Sequence, residues 1–237
     1  MSLASFWSAE MGYSVYICAG SVLVVSQDLL PARQQDVLDT VLFAQLAADE
    51  DFPGGCNDSQ WFDVFTSTLS ACGWAFYAQK ETDEHFLTSD DATFSVRDAL
   101  AVSANRNCSD DQVAVLSAAL DKAVALPPDS DVAQVFREHS LLGDGAEMTR
   151  IRVMGGIVEA NGFLSMTSVS FDTHVMLGKH FVENEITLNQ VDGALSSRFF
   201  LARFNHDEFN DYREDTVEWL GAQRGTQCVE IGVLSIE

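Results

Sequence analysis

Positive charge is scarce in this chain. Its 237 residues include 36 Asp and Glu but only 13 Lys and Arg, which gives a formal net charge of −23 at pH 7. Proteins that bind nucleic acids or anionic lipid surfaces neutralise phosphates with Lys and Arg, so this balance argues against both classes of partner. It is compatible with a basic protein partner, or with an acidic surface whose self-repulsion keeps the protein in solution.

A long apolar run is also lacking. The longest, Tyr13–Val25, is interrupted by Ser14, Gly20 and Ser21 and is shorter than the about 20 residues of a membrane-spanning helix. Glu10 precedes this run and no Lys or Arg does, which is not the pattern of a secretory signal peptide. We therefore expect a cytoplasmic protein, although export by a signal-independent route would leave no such mark in the sequence.

Closely spaced cysteines are absent as well. No C-x-x-C motif occurs, and the five cysteines are widely separated: Cys18, Cys56, Cys72, Cys108 and Cys228. An odd number of cysteines without a signal peptide favours reduced thiols over a disulfide framework. This spacing predicts no structural zinc site, and we predict no metal and no cofactor.

The chain does contain the apolar material for a sizeable core. Hydrophobic residues make up 47% of it, and 16 Phe and four Trp argue against disorder. Because there is no Ser/Gly linker and no repeat of fixed period, we expect a single intertwined domain over 1–237, with a weak alternative boundary near 143–146. If the helices and the sheet enclose more volume than their side chains fill, an apolar small molecule is a candidate ligand.

Helical periodicity is prominent in the first 145 residues. After an extended or buried segment over the first 27 residues, the spacing predicts helices near 32–48, 58–73, 109–126 and 131–142, and a short one capped by Thr93. Ser109 and Gln112 have the spacing of a capping box, in which the two side chains satisfy free N–H groups of the first turn. Aromatic residues favour a strand near 74–80, and 81–91 is expected to be a loop or an irregular edge strand.

The periodicity changes from helical to alternating after Gly145. Asn161-Gly162, between Met148–Val158 and Phe163–Phe171, is the strongest short signal of a β-hairpin. A second hairpin is predicted around Asp192-Gly193, then a helix from Asn205 to Gln223 and a strand from Gln227 to Ile236. Helices followed by strands predict an α+β fold, with a helix-rich N-terminal part packed on an antiparallel sheet formed mainly by residues 147–237.

No sequence motif identifies a catalytic centre. The G-x-S-x-G, H-E-x-x-H, P-loop and G-x-G-x-x-G patterns are all missing, although catalytic groups also assemble from distant residues. Residue chemistry leaves four candidates for the site of an enzyme of unrecognised type, which are Cys228, His139, His174 and His206. His174 and His180, with Asp172, would need a further ligand to form a metal site.

Three arginines stand out against the acidic background. Arg150 and Arg152 share one face of a predicted strand because side chains alternate along it. If Arg198 lies on a neighbouring strand, the three guanidinium groups are candidates for binding a phosphate or carboxylate ligand. The alternative is that they pair with carboxylates of the same chain.

The leading functional hypothesis is an acidic protein that acts by binding either a protein partner, for which a basic protein is one candidate, or an enclosed apolar small molecule. One alternative is an enzyme that uses a Cys or a His. The other is an effector or toxin-like protein that acts at a membrane. The alternating pattern of the hairpin over 148–171 suggests this alternative. Glu159 and the serines of that hairpin interrupt its lipid-facing side, which argues against the membrane. The sequence predicts neither the ligand nor the oligomeric state.

Overall fold

The computed structural model describes residues 11–53, 58–83, 92–143 and 148–236. The strands in these residues are β1 (Met11–Cys18), β2 (Ser21–Ser26), β3 (Trp74–Asp83), β4 (Thr93–Phe94), β5 (Leu141–Leu142), β6 (Thr149–Val158), β7 (Phe163–Thr173), β8 (Ile186–Thr187), β9 (Val191–Phe204) and β10 (Cys228–Ile236). The helices are α1 (Pro31–Asp51), α2 (Asp58–Ala71), α3 (Val96–Asn105), α4 (Asp110–Val124), α5 (Asp131–Ser140), α6 (His206–Phe209), α7 (Arg213–Leu220) and α8 (Gln223–Thr226).

One largely antiparallel sheet organises the fold. Its strand order is β10-β1-β2-β6-β7-β9-β3, and β5 pairs with β6. β2 and β6 are parallel, whereas the other neighbouring strands of this sheet are antiparallel. The predicted α+β fold is confirmed. Residues after 147 form most of the sheet, and β1, β2 and β3 from the first half of the chain complete it.

Helices cover both faces of this sheet. One face packs against α1, α2 and α7 in a cluster that includes Leu42, Phe65, Met154, Phe200 and Leu220. The opposite face packs against α3, α4 and α5 in a cluster that includes Leu100, Leu116, Phe136, Val153 and Val169. A sheet buried on both sides explains why its central strands are apolar on both faces.

Local signals of the sequence correspond to observed caps and turns. The hairpin around Asn161-Gly162 is formed by β6 and β7. Ser109 and Gln112 form the predicted capping box at the start of α4. Asn205 caps α6 by accepting hydrogen bonds from the N–H groups of Asp207 and Glu208. Each of these features depends on residues within a few positions of one another.

One prediction about the first hundred residues is confirmed only in part, and another is wrong. Residues 11–26 are extended as predicted, but they form two strands, the hairpin of β1 and β2, and residues 1–10 lie outside the described residues. In this hairpin Ala19 has a φ of 49°, and a Cβ on Gly20 would lie 2.8 Å from the His139 carbonyl oxygen. Thr93 does not cap α3 because it belongs to β4, and Ser95 is the N-cap, with Asp98 completing a capping box.

The second predicted hairpin is also wrong. β9 runs through Asp192-Gly193 as one strand, and Gly193, with a φ of +79°, lies where the β7–β9 register shifts. A bulge and a turn both favour such a glycine, so the local sequence does not distinguish them. Ile186 and Thr187 instead pair with β4. The helix predicted from Asn205 to Gln223 is interrupted: α6 and α7 lie within this range, α7 ends at Leu220 with Gly221 as its C-cap, and Gln223 begins α8.

Some predictions concern residues outside the described ranges. Residues 81–83 of the expected loop over 81–91 belong to β3, and the part over 84–91 lies outside the described residues. Most of the alternative domain boundary near 143–146 lies outside them too. The single domain over 1–237 therefore stays a prediction. Among the described residues, no helix is long and apolar enough to span a membrane.

Candidate functional site

The arginines singled out by the sequence lie on two strands of the sheet, β6 and β9, which are separated by β7. Arg152 on β6 and Arg198 on β9 meet at Asp58, the first residue of α2. The Asp58 carboxylate accepts hydrogen bonds from Arg152 Nε at 2.7 Å, from the hydroxyl of Ser170 at 2.7 Å and from Arg198 Nη1. The other end of the Arg198 guanidinium donates to Glu81 at 2.6 Å. This group therefore attaches the start of α2 to three strands.

The electrostatics of this group are those of a structural ion pair. Burial alone would raise the pKa of Asp58, but Arg152, Arg198 and the Ser170 hydroxyl hold it below its usual range. Burial lowers the pKa of Arg152, whose guanidinium also lies 4.0 Å from the ring centre of Trp61. An anionic ligand at this point would have to displace Asp58.

Arg150 does not join this group. Its guanidinium forms two hydrogen bonds of 2.6 Å with the carboxylate of Asp172 on β7. The same contact engages Asp172, the carboxylate considered together with His174 and His180 for metal binding. A ligand-binding role for Arg150, Arg152 and Arg198 stays a prediction, and their geometry favours the alternative of pairing within the chain.

His139 belongs to a second contact, which is half-buried. Its Nδ1 lies 2.8 Å from Asp49 Oδ2 near the end of α1, and the other oxygen of Asp49 accepts a 2.7 Å hydrogen bond from Trp61 Nε1. The pair bridges α5 and α1, which pack on opposite faces of the sheet. His139 thus lies in a contact between the two helical layers.

Two further sequence candidates, His174 and Cys228, lie at the ends of different strands of the fold. His174 is exposed just after the end of β7. Cys228 begins β10 and lies directly opposite Cys18 on β1. The structure therefore does not bring Cys228, His139, His174 and His206 together, and a catalytic role for each of them stays a prediction.

His206 lies in a groove that the sequence did not predict. The groove is open, measures about 410 Å³, and lies between the start of α1, the edge strand β3, the end of β9 and α6. We call it the arginine groove, and it is defined by Arg33, Tyr77, Arg203, Asn205 and His206. Asp207 also lines it. Its main cations, Arg33 and Arg203, are 170 positions apart in the chain.

Among the described residues, the two arginines of this groove are not held in ion pairs, whereas six other arginines of the chain are. Carboxylate ion pairs engage Arg97, Arg150, Arg152, Arg198, Arg213 and Arg224. Within the described ranges, Arg33 and Arg203 form no ion pair with a carboxylate, and both side chains are exposed. Two exposed arginine side chains thus line one groove of a strongly acidic protein.

An aromatic pair extends the groove along the sheet. Tyr77 lies at a bulge of β3 and is 61% exposed, and its ring centre is 5.3 Å from that of Phe163 on β7. The guanidinium carbon of Arg203 lies 5.6 Å from the centre of the same Phe163 ring. Arg203 thereby lies beside the half-buried ring of Phe163, which the exposed ring of Tyr77 contacts, and this arrangement suits Arg203 to hold an anion attached to a planar group.

The imidazole of His206 lines the groove beside the two arginines. Its Nδ1 lies 3.3 Å from Asp36 Oδ2, and its buried Nε2 has no hydrogen-bond partner among the described residues. Burial lowers the pKa of His206, and Arg33 and Arg213 lower it further, against the opposing effect of Asp36. The ring is therefore neutral at pH 7, and an anion beside it would favour the protonated form.

Asp36 of α1 contacts His206 and is itself held in an ion pair. Its carboxylate lies in the buried face of α1 and accepts two 2.7 Å hydrogen bonds from Arg213 of α7. Asp39, one turn further along α1, accepts a 2.7 Å hydrogen bond from Arg224. These contacts attach α6, α7 and α8 to α1 and so fix the backbone that carries His206.

Comparisons with known proteins give little information on function. No protein-family model matches the sequence, and no curated protein does. A solved structure named delta-endotoxin aligns with a TM-score of 0.45 and 9% identity, over 80% of this chain and 86% of that chain. The activated Cyt2Ba monomer from Bacillus thuringiensis subsp. israelensis aligns with a TM-score of 0.42 and 9% identity, over 78% and 97%. We base no functional assignment on similarity at this level.

Proposed function

We propose that the protein binds a phosphate-bearing organic ligand in the arginine groove. The observation that carries the proposal is that Arg33 and Arg203, without carboxylate partners among the described residues, line the same groove in a chain of net charge −23. Guanidinium groups bind phosphate through paired N–H donors, which makes two converging arginines a suitable phosphate site. The proposal thus specifies a ligand class for the binding protein that the sequence led us to expect.

The surroundings of the two arginines restrict the ligand. The acidic chain as a whole repels polyanions, so a single phosphate group suits the groove better than a nucleic acid. Tyr77 offers an exposed ring beside the cations, which favours an apolar or planar group attached to the phosphate. The groove is open to solvent, unlike the enclosed apolar cavity that the aromatic content raised as a possibility.

Calorimetric titration of the intact protein tests this proposal. The probes are inorganic phosphate and phenyl phosphate at pH 6, and we expect saturable binding that is tighter for phenyl phosphate. R33Q and R203Q should each weaken binding roughly tenfold to a hundredfold, the loss expected for one hydrogen bond to a charged group. D207N should strengthen binding because it removes a carboxylate from the groove.

A matched control separates a local effect from a change in total charge. R97Q removes the same charge from Arg97, which forms an ion pair with Asp121 away from the groove. Its affinity for both probes should equal that of the native protein. Equal losses in R97Q and R33Q, or no saturable binding of either phosphate probe, would contradict the proposal.

The phosphate group of the ligand has two sources, a soluble phosphate ester or a phospholipid headgroup. Two binding measurements distinguish these sources. Sedimentation with vesicles of phosphatidic acid or of phosphatidylcholine detects headgroup binding, and titration with phenyl phosphate detects binding of a soluble ester. Binding to either vesicle that is lost in R33Q/R203Q would identify a headgroup as the source. Binding of phenyl phosphate without vesicle binding would identify a soluble ester.

Action at a membrane is a second candidate function, and the β6–β7 hairpin favours it. These strands have 10 and 11 residues, close to the about 9 to 11 residues of a strand that crosses a bilayer. Both faces of the hairpin carry buried apolar side chains that the helical layers cover. Dye release from vesicles between pH 4 and pH 7 tests this candidate, and the absence of release over that range would contradict it.

A further inference from the structure

Cys228, the first residue of β10, is paired with a second cysteine on the neighbouring strand β1. Cys18 and Cys228 are directly opposite each other at the end of the β1–β10 ladder. The adjacent pair, Ala19 and Gln227, is joined by a 2.7 Å hydrogen bond from the Ala19 N–H to the Gln227 carbonyl. Because hydrogen-bonded and non-hydrogen-bonded pairs alternate in an antiparallel ladder, Cys18 and Cys228 form a non-hydrogen-bonded pair.

This kind of pair suits a cross-strand disulfide. Residues in non-hydrogen-bonded pairs have Cα atoms about 4.5 Å apart and close side chains, and a disulfide spans Cα distances of about 4.4 to 6.8 Å. The direction of the Cys18 carbonyl group is consistent with a non-hydrogen-bonded pair, because this group points away from β10. It accepts hydrogen bonds from the Ser21 hydroxyl at 2.7 Å and from Gln45 Nε2 at 3.0 Å.

The two thiols are in contact. Burial raises the pKa of the Cys18 thiol well above its usual value, and a hydrogen bond with the Cys228 thiol raises it further. Cys18 lies in the apolar cluster under α1, and Cys228 packs against that cluster from its edge. The register of the β1–β10 ladder therefore places the two thiols side by side.

Access to the two thiols is unequal. Cys18 has no exposed surface, whereas Cys228 is partly exposed. Cys228 lines an open groove of about 530 Å³ together with Tyr16, Gln35 and Arg224. A small reagent can therefore reach Cys228 first, and Cys18 lies behind it as the second thiol.

We propose that Cys18 and Cys228 are a redox-sensitive modification site, which forms an intrachain disulfide by exchange with a small-molecule disulfide such as oxidised glutathione. The Cys228 thiolate attacks one sulfur of glutathione disulfide, which breaks its S–S bond and releases one glutathione thiolate. The Cys18 thiol then gives up its proton and attacks Cys228 Sγ, which releases the second glutathione. The protein loses two hydrogen atoms, and one glutathione disulfide is reduced to two glutathione molecules.

Cross-linking would fix an edge of the fold. β10 is an edge strand that pairs with β1 alone among the described strands, and its first residue follows α8 closely. Arg224, four residues before Cys228, is attached to Asp39 of α1. The disulfide would add a covalent connection beside this ion pair. The reduced thiols expected from the sequence are then the state of the protein in a reducing compartment.

Intact mass measurement of the full chain, before and after incubation with oxidised glutathione, tests the proposal. We expect a mass lower by two hydrogen atoms, and proteolysis without reduction should give a Cys18 peptide linked to a Cys228 peptide. Thermal unfolding should shift upward by roughly 5 to 10 °C on oxidation, and dithiothreitol should reverse the shift. If oxidised glutathione leaves both residues as free thiols, the proposal is wrong.

Variants identify the order of the steps and exclude Cys56 and Cys72 as the partner. In C18A the second thiol is missing, so Cys228 should accumulate as a stable glutathione adduct, while C228A should leave Cys18 unmodified. C56S and C72A should both keep the cross-link; Cys56 lies outside the described residues, and burial raises the pKa of the Cys72 thiol to about 11. Loss of the cross-link in C56S, or a linked peptide that contains Cys56, would overturn the assignment.

Discussion

Arg152 on β6 donates a 2.7 Å hydrogen bond to Asp58, the first residue of α2, across 94 positions of sequence. The Arg152 side chain is only 4% exposed, and that of Asp58 is 16% exposed. Buried charges of this kind are stable only while both partners are present, because an unpaired charge in the interior lacks hydration. The attachment of α2 to the sheet therefore depends on this carboxylate.

The first prediction concerns the stability of the D58N variant. Removing the Asp58 charge leaves Arg152 and Arg198 without their shared partner, and we expect the free energy of unfolding to fall by about 3 to 5 kcal/mol. Urea denaturation monitored by tryptophan fluorescence measures this change. D63N is the control, because Asp63 lies on the exposed side of α2, and it should change stability by less than about 0.5 kcal/mol. Equal effects of the two substitutions would contradict the role of Asp58.

The second prediction is the acid dependence of the same contact. The pKa of Asp58 is lowered below 3.8 in the folded protein, so the unfolded state binds a proton more readily than the native state. Its stabilising contribution is present above about pH 4 and is lost as the pH falls through the folded pKa. Between pH 4 and pH 2 the native protein should lose stability more steeply than D58N. Parallel pH profiles for the two proteins would show that Asp58 is not the group responsible.

These results show which parts of the fold the sequence could predict. The turn at Asn161-Gly162 and the cap at Ser109 were predicted correctly because each depends on neighbouring residues. The course of β9 through Gly193 was not, because its pairing with β7 and β3 is decided by residues far away in sequence. Alternation along β6 correctly placed Arg150 and Arg152 on one face, but it contained no information on Asp58 or Asp172 as their partners.

The arginine groove shows the same limit for a functional site. His206 was a candidate from its place in the first turn of a helix, whereas neither Arg33 nor Arg203 has any local feature that marks it. Arg203 reaches the groove because β9 pairs with β3, which places it opposite Ala75. The contrast that identifies the two arginines is their lack of described carboxylate partners, and it becomes visible only in three dimensions.

The third prediction concerns the pH dependence of phosphate binding. The pKa of His206 is lowered from 6.5 in the free protein, and a bound phosphate would raise it because the anion stabilises the imidazolium. Affinity for phenyl phosphate should therefore increase as the pH falls below about 6.5. H206Q should bind at pH 7.5 nearly as well as the native protein but should lose most of this increase. A native affinity that does not change between pH 7.5 and pH 5.5 would exclude His206 from the site.

The fourth prediction follows from the same lowered pKa and concerns stability without a ligand. The unfolded chain protonates His206 more readily than the folded protein does, so its contribution is present above about pH 6.5 and is lost as the pH falls through the folded pKa. H206Q should therefore lose less stability than the native protein between pH 7 and pH 5. H174Q, a change at an exposed histidine, is the control and should follow the native profile. A steeper loss in H206Q than in the native protein would contradict the sign of this shift.

The fifth prediction separates the aromatic part of the arginine groove from its charged part. Tyr77 is exposed and contacts Phe163, so Y77A removes a ring that a planar ligand could stack on without removing a cation. We expect Y77A to weaken binding of phenyl phosphate by roughly threefold to tenfold, the range of a stacking contact, and to leave inorganic phosphate unchanged. Y212A removes another exposed tyrosine, away from the groove, and should affect neither probe. If Y77A weakens both probes equally, the ring supports the fold of the groove and does not contact the ligand.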